Sequence, residues 1–190
     1  MKIYIINGPN LNMLGIREPE QYGNENYASL VKRLSEYAEK KGVEAVIYQS
    51  NHEGDLVDKI QEAYFSGAGG IVINPGAYTH TSIALLDAVK ATRLPTVEVH
   101  ISDVEKREAY RQRSYIREAA KKTIVGHGTD GYFEGIDFLL SEVEKNDGGN
   151  RKRKSRRQNK CSSVKEYGAQ TSDLRRNVRR GERYKRNFGL

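Results

Sequence analysis

The chain has almost no cysteine and no long apolar run, and each shortage excludes a class. Cys161 is its single cysteine in 190 residues. No disulfide framework can form within the chain, which fits a reducing compartment. No apolar stretch approaches the ~18 residues that a membrane span requires. The opening run, Met1-Lys2-Ile3-Tyr4-Ile5-Ile6-Asn7, is too short and too soon interrupted for a secretory signal. A soluble cytoplasmic protein with no membrane partner is the expectation.

Several chemical signatures are missing as well. Gly67-Ala68-Gly69-Gly70 precedes an apolar run instead of following one, so it is no dinucleotide fingerprint. Ser50 and His52 lie close together, but no Gly-x-Ser-x-Gly elbow surrounds the serine. His52, His80, His100 and Glu98 lack the close spacing of a zinc pair. Hydrogen-bonding roles account for these residues, so neither a metal nor a cofactor is expected.

Acidic residues are scarce at one end only. Residues 147–190 hold 15 Lys and Arg against 4 Asp and Glu, a net of +11. The first 146 residues hold 17 against 21, a net of −4, and the two regions together make the overall +7. The basic character belongs to the tail alone, so the global charge says nothing about the partners of the rest.

Short apolar runs recur at Ile3 to Ile6, Val43 to Tyr48, Ile71 to Ile73, Thr96 to Ile101 and Thr123 to Val125. Between them lie stretches with helical spacing. Tyr27, Leu30, Val31, Leu34 and Ala38 form the first, and Leu56, Val57, Ile60, Ala63 and Tyr64 the second. Ile83, Leu85, Leu86 and Val89 form a third, and residues 132–143 another. Asn26 and Asp55 are the expected helix starts, and Gly42 the expected stop of the first helix. Strand and helix alternating in this way imply parallel βαβ units. Near-continuous apolar runs fit strands covered on both faces. The fold class read from this is α/β, a flavodoxin-like five-stranded parallel sheet flanked by helices. Residues 15–25 and 103–118 are polar excursions that need not be regular.

Polar residues gather where the apolar runs stop. Asn7-Gly8-Pro9-Asn10 follows the first run and Gln49-Ser50-Asn51-His52-Glu53 the second. Asn74-Pro75-Gly76-Ala77-Tyr78-Thr79-His80-Thr81-Ser82 follows the third, and Glu98-Val99-His100-Ile101-Ser102 closes the fourth. In a parallel sheet these tips share one edge, where open α/β sheets hold their ligands. The loop Gly15-Ile16-Arg17-Glu18-Pro19-Glu20-Gln21-Tyr22-Gly23 suits a lid over that crevice. It sets a guanidinium near a phenol. A nearby cation stabilises a phenolate, which equips Tyr22 to act as a base near neutral pH.

These motifs stand in the order found in type II 3-dehydroquinate dehydratase, and residues 1–145 resemble that family. The matching segments are Asn7 to Leu11, Arg17 to Gly23, Gln49 to Gly54, Asn74 to Ser82 and Glu98 to Ser102, with Arg111 and Ser114-Tyr115. The resemblance implies a flavodoxin-like fold and a hydro-lyase of the shikimate pathway. It implies elimination of water from 3-dehydroquinate to give 3-dehydroshikimate. Tyr22 matches the base, Arg17 the residue that keeps this tyrosine acidic, and His100 the acid for the departing hydroxyl. Glu98 is placed to orient His100. Asn10 helps hold a water against the developing enolate. Asn74, His80 and Arg111 match side chains that bind the substrate's hydroxyl and carboxylate groups, and Ile101 and Ser102 match the segment that binds the carboxylate. Asp87 matches an acidic residue that completes the site of a neighbouring subunit. The assembly implied is a homododecamer built from trimers. No Schiff-base lysine stands out, which argues against the type I mechanism. His127, between Gly126 and Gly128, stands where the family more often has an apolar residue.

Residues 146–190 are a second region that the resemblance does not explain. The segment is sparse in aliphatic residues and cannot bury enough apolar surface to offset its ordering entropy, so disorder is expected. One reading is a basic arm for nucleic acid or an acidic surface. The favoured reading is an extension with no selected role. The alternative function for the whole chain is therefore a flavodoxin-like binding module whose tail engages nucleic acid.

Overall fold

The computed structural model describes residues 1–16 and 26–145. The expected lid loop from Arg17 to Gly23, with Tyr22, and the expected tail, 146–190, lie outside the described residues. Five strands form one parallel sheet: β1 (Lys2–Asn7), β2 (Glu44–Gln49), β3 (Gly70–Asn74), β4 (Thr96–His100) and β5 (Lys122–Val125). Their order is β2-β1-β3-β4-β5. The central strands β3 and β4 are buried along their whole length, whereas β2 at the edge is only partly covered. That difference follows from helices lying over both faces of the middle of the sheet.

Alternate side chains of β1 enter opposite layers, as the strand pleat requires. Ile3 and Ile5 join Leu30, Leu34 and Ala38 of α1 (Tyr27–Lys40) and Tyr132, Ile136 and Leu139 of the helix over 130–145. Tyr4 and Ile6 join Leu56, Ile60 and Ala63 of α2 (Glu53–Phe65) and Leu85, Ala88 and Val89 of α3 (Ile83–Thr92). The helix over 130–145 is α4.

Local chemistry sets the helix ends. The Asn26 side chain accepts from Ser29 N at 2.8 Å, the expected N-cap. Gly42 adopts φ +69 just past α1, with Gly42 N–H on Glu39 O and Val43 N–H on Ala38 O. That is a Schellman ending, and it confirms Gly42 as the stop. Asp55 does not begin α2. The helix starts at Glu53, after His52, and Asp55 lies in its first turn. There its carboxylate accepts from Ser50 Oγ at 2.7 Å, close to the positive end of the helix. Ser82 caps α3 by accepting from Leu85 N at 2.9 Å. The segment 103–118 contains only single turns, at Val104–Lys106, Ala109–Arg111 and Ile116–Glu118. Among the described residues no helix is long and apolar enough to cross a membrane.

After β1 the chain moves outward to β2, and then crosses back to β3 on the other side of β1. The switch point thus lies between the ends of β1 and β3, where Asn7 and Asn74 are register partners. Two glycines let the loops beyond them touch. A Cβ on Gly8 would lie 2.3 Å from Pro75 O, and one on Gly76 would lie 3.0 Å from Pro9 O. Gly76 also has φ +57, a conformation that favours glycine.

Candidate active site

A cavity of about 240 Å³ opens at this switch point. Pro9, Asn10, Leu11, Met13 and Leu14 wall it from the β1 side, and Asn74, Gly76, Ala77 and His80 from the β3 turn. His100, Ile101, Ser102 and Val104 follow β4, and Arg107 and Arg111 complete the lining. Of the expected residues, Asn10, Asn74, His80, His100, Ile101, Ser102 and Arg111 are brought together in this cavity, while Glu98 stands directly behind His100. Asp87 does not line it and lies on the exposed side of α3.

The tip of β2 differs from expectation. Its residues support the cavity wall and do not line it, because β2 is the edge strand one place beyond β1. Gln49 Nε2 donates to Gly8 O at 3.2 Å, and Asn51 Oδ1 accepts from Asn10 N at 3.0 Å. The second bond holds Asn10 at φ 67, a left-handed conformation that asparagine tolerates better than most residues.

Glu98 and His100 are two residues apart on β4 and therefore share a face. His100 Nε2 lies 2.8 Å from Glu98 Oε1. A carboxylate held as an acceptor makes that nitrogen the donor and leaves Nδ1 for exchange with a ligand. Glu98 is fully buried. Burial pushes its pKa up, but hydrogen bonding and charge from His100 oppose this, with the Thr79 and Ser114 hydroxyls helping. The net result lies below the ordinary glutamate value. A buried carboxylate beside an imidazole suits proton transfer.

Two cations sit across the cavity. Arg111 Nε is buried with no hydrogen bond; Glu108 Oε2 is 3.2 Å away but off-line, an ionic contact only. A guanidinium with an unsatisfied buried N–H fits an anionic ligand group. Arg107 lies beside it, unremarked in the sequence because it is one charge among many in the 103–118 segment.

A second polar chain runs under the β1 and β3 tips. Tyr132 OH donates to Asn7 Oδ1 at 2.7 Å and accepts from Asn74 Nδ2 at 2.9 Å. Asn74 Oδ1 in turn accepts from Gly76 N at 3.2 Å. Burial pushes the Tyr132 phenol well up, so it stays a neutral hydroxyl. Nothing in the sequence marks Tyr132, which reads as an ordinary apolar-face residue of α4. Among the described residues no group of three or more His, Cys, Asp or Glu could hold a metal ion.

Residues 1–140 match the family model for dehydroquinase class II. The chain belongs to the class II dehydroquinases. Like other members it is an enzyme, and its relatives match over most of their own length. A 3-dehydroquinate dehydratase of Rhodopseudomonas palustris is 50% identical over 141 residues, covering 74% of this chain and 93% of the relative. One from Caldicellulosiruptor bescii is 47% identical over 142 residues, covering 75% and 97%. The crystal structure of the type II dehydroquinase from Butyrivibrio crossotus aligns with a TM-score of 0.73 at 55% identity, covering 74% of this chain and 97% of that one. Every residue that lines the cavity of this class II dehydroquinase falls inside the matched region.

Proposed function

We propose that this chain eliminates water from 3-dehydroquinate to give 3-dehydroshikimate, with Tyr22 as base and His100 as acid. The observation that carries the reading is the Glu98–His100 pair in the wall of a cavity that also presents Arg107 and Arg111. The substrate pairs a carboxylate with a ring ketone, and the proton to be lost lies next to that ketone. Arg111, with Ile101 and Ser102, takes the carboxylate, while Asn74 and His80 take hydroxyls. The Tyr22 phenolate, favoured by Arg17, removes the proton, and the electron pair moves into an enolate. Asn10 holds a water against the enolate oxygen. The enolate then reforms the ketone, the carbon–oxygen bond to the leaving hydroxyl breaks, and His100 supplies the proton that makes it water. Atoms and charge balance without a metal, a cofactor or a covalent lysine. Asp87, exposed on α3, completes the site of a neighbouring subunit, in trimers that build a homododecamer.

The test is the ultraviolet absorbance of the conjugated enone formed from 3-dehydroquinate. Folded wild-type protein should produce it. Tyr22→Phe should retain substrate binding and lose nearly all the rate, since general base catalysis contributes roughly 10²–10⁴-fold. No turnover by folded wild type would end the dehydratase reading, and a near-normal rate in Tyr22→Phe would end the base assignment.

A further inference from the structure

Glu98 gathers more donors than the orientation of one histidine calls for. An ionised carboxylate accepts at about four lone-pair sites. His100 Nε2 lies 2.8 Å from Oε1, and the Ser114 and Thr79 hydroxyls donate to the same oxygen at 2.7 and 2.5 Å. Thr123 donates to Oε2 at 3.3 Å from β5. Ser114 Oγ also accepts the backbone N–H of Arg117 at 3.0 Å. One of its lone pairs is thereby occupied, and its proton has two acceptors within reach, Glu98 Oε1 at 2.7 Å and Thr79 Oγ1 at 2.8 Å. Either hydroxyl can be the donor between Thr79 and Ser114, so at least one of the two always donates to the carboxylate.

We infer that Thr79 and Ser114 are positioning residues that keep a proton off Glu98, so that the carboxylate can only accept and His100 is held in its Nε2–H form. This rests on the reading of His100 as the acid. Once His100 has given a proton from Nδ1, it is left as the tautomer already paired with Glu98, and no second proton needs to move. Were Glu98 to carry a proton, it could donate to Nε2, and the neutral ring would carry its proton on Nδ1 instead. The proton on the cavity side would then no longer be governed by the reaction. The other charged and titratable groups around the pair are His80, from the turn 76–80, and Arg107 and Arg111, from the segment beyond β4. β5 contributes the neutral Thr123 hydroxyl.

Ser114 arrives at Glu98 on the same segment that carries Arg111. Tyr115 N–H donates to Thr79 O at 2.8 Å, and His80 Nδ1 donates to Arg113 O at 2.7 Å. The hydroxyl that guards Glu98 is therefore fixed by the bonds that seat the carboxylate-binding arginine.

The experiment uses full-length protein labelled with ¹⁵N-histidine, with the His100 signals assigned by their loss in His100→Asn. Wild-type His100 should show the Nε2–H signature in its neutral form. Ser114→Ala and Thr79→Val should show a tautomer mixture and a roughly tenfold lower kcat with KM nearly unchanged, short of the ~100-fold or more of a lost general acid. Ser114→Thr should restore both signature and rate. A wild-type His100 in the Nδ1–H form would overturn the proposal, whatever the variants do. So would wild-type tautomer and kcat in either folded variant. Absence of turnover in the wild type would count against the dehydratase reading alone, because the tautomer is read without substrate.

Discussion

Behind His100, donors from three segments of the chain besides β4's own His100 converge on the buried carboxylate of Glu98. Its folded pKa lies below the ordinary value, so its ionisation contributes stability that is complete above the unfolded glutamate range, about pH 4.3. That contribution is lost as pH falls through the lower folded value. Glu98→Gln keeps the shape but gives Oε1 or its amide replacement fewer acceptor sites for three donors. At pH 7 the variant should melt at a lower temperature than wild type, and the gap should close as pH falls below about 4. Thermal melts at a series of pH values check this. A gap that does not depend on pH would mean that the charge of Glu98 is immaterial to the fold.

At the scale of elements, the crossing of the two glycine-bearing loops decides whether a cavity exists at all. Gly8→Ala would push a methyl into Pro75 O, a backbone atom that cannot swing aside. The expected cost is about 1–3 kcal/mol in urea unfolding, with a parallel loss of kcat/KM as Asn74 and Gly76 are displaced. Unchanged unfolding and activity would show that the loops relax freely. The strands and helices were largely legible from apolar runs and spacing, because strands covered on both faces must be continuously apolar and helices must be amphipathic. Asp55 misled because an acidic residue favours both a cap and a first turn, and only the Ser50 bond separates the two. The β2 tip misled because strand order is a property of the sheet and cannot be seen in one run. Asn10, Asn74, His80, His100 and Arg111 were legible through motif order. Thr79 and Ser114 were not legible as partners of Glu98, since hydroxyls are common and these meet it only through tertiary convergence.

At the scale of the whole molecule, among the described residues, two helix layers clamp a sheet whose β1, β3 and β4 tips open onto one cavity. The α4 residues that seal the sheet, Tyr132, Ile136 and Leu139, all precede residue 140, where the family match ends. A chain ended after Lys145 should therefore melt at the same temperature as the full-length protein and turn over at the same rate. Calorimetry and the enone assay on the two proteins decide it. A large drop in either would tie residues 146–190 to the catalytic region.

His80 gives the cavity a polarity of its own. A carbonyl can only accept, so the bond from His80 Nδ1 to Arg113 O places the ring's proton outward. His80 lines the same cavity as Arg107 and Arg111, and in the tautomer that this bond selects its Nε2 is an acceptor among guanidinium donors. A ligand that presents an anion to the arginines and a hydrogen-bond donor to His80 matches this wall. Molecules with the same outline but an ether or a fluorine opposite His80 offer it no proton, and are disfavoured by charge distribution where shape alone would admit them.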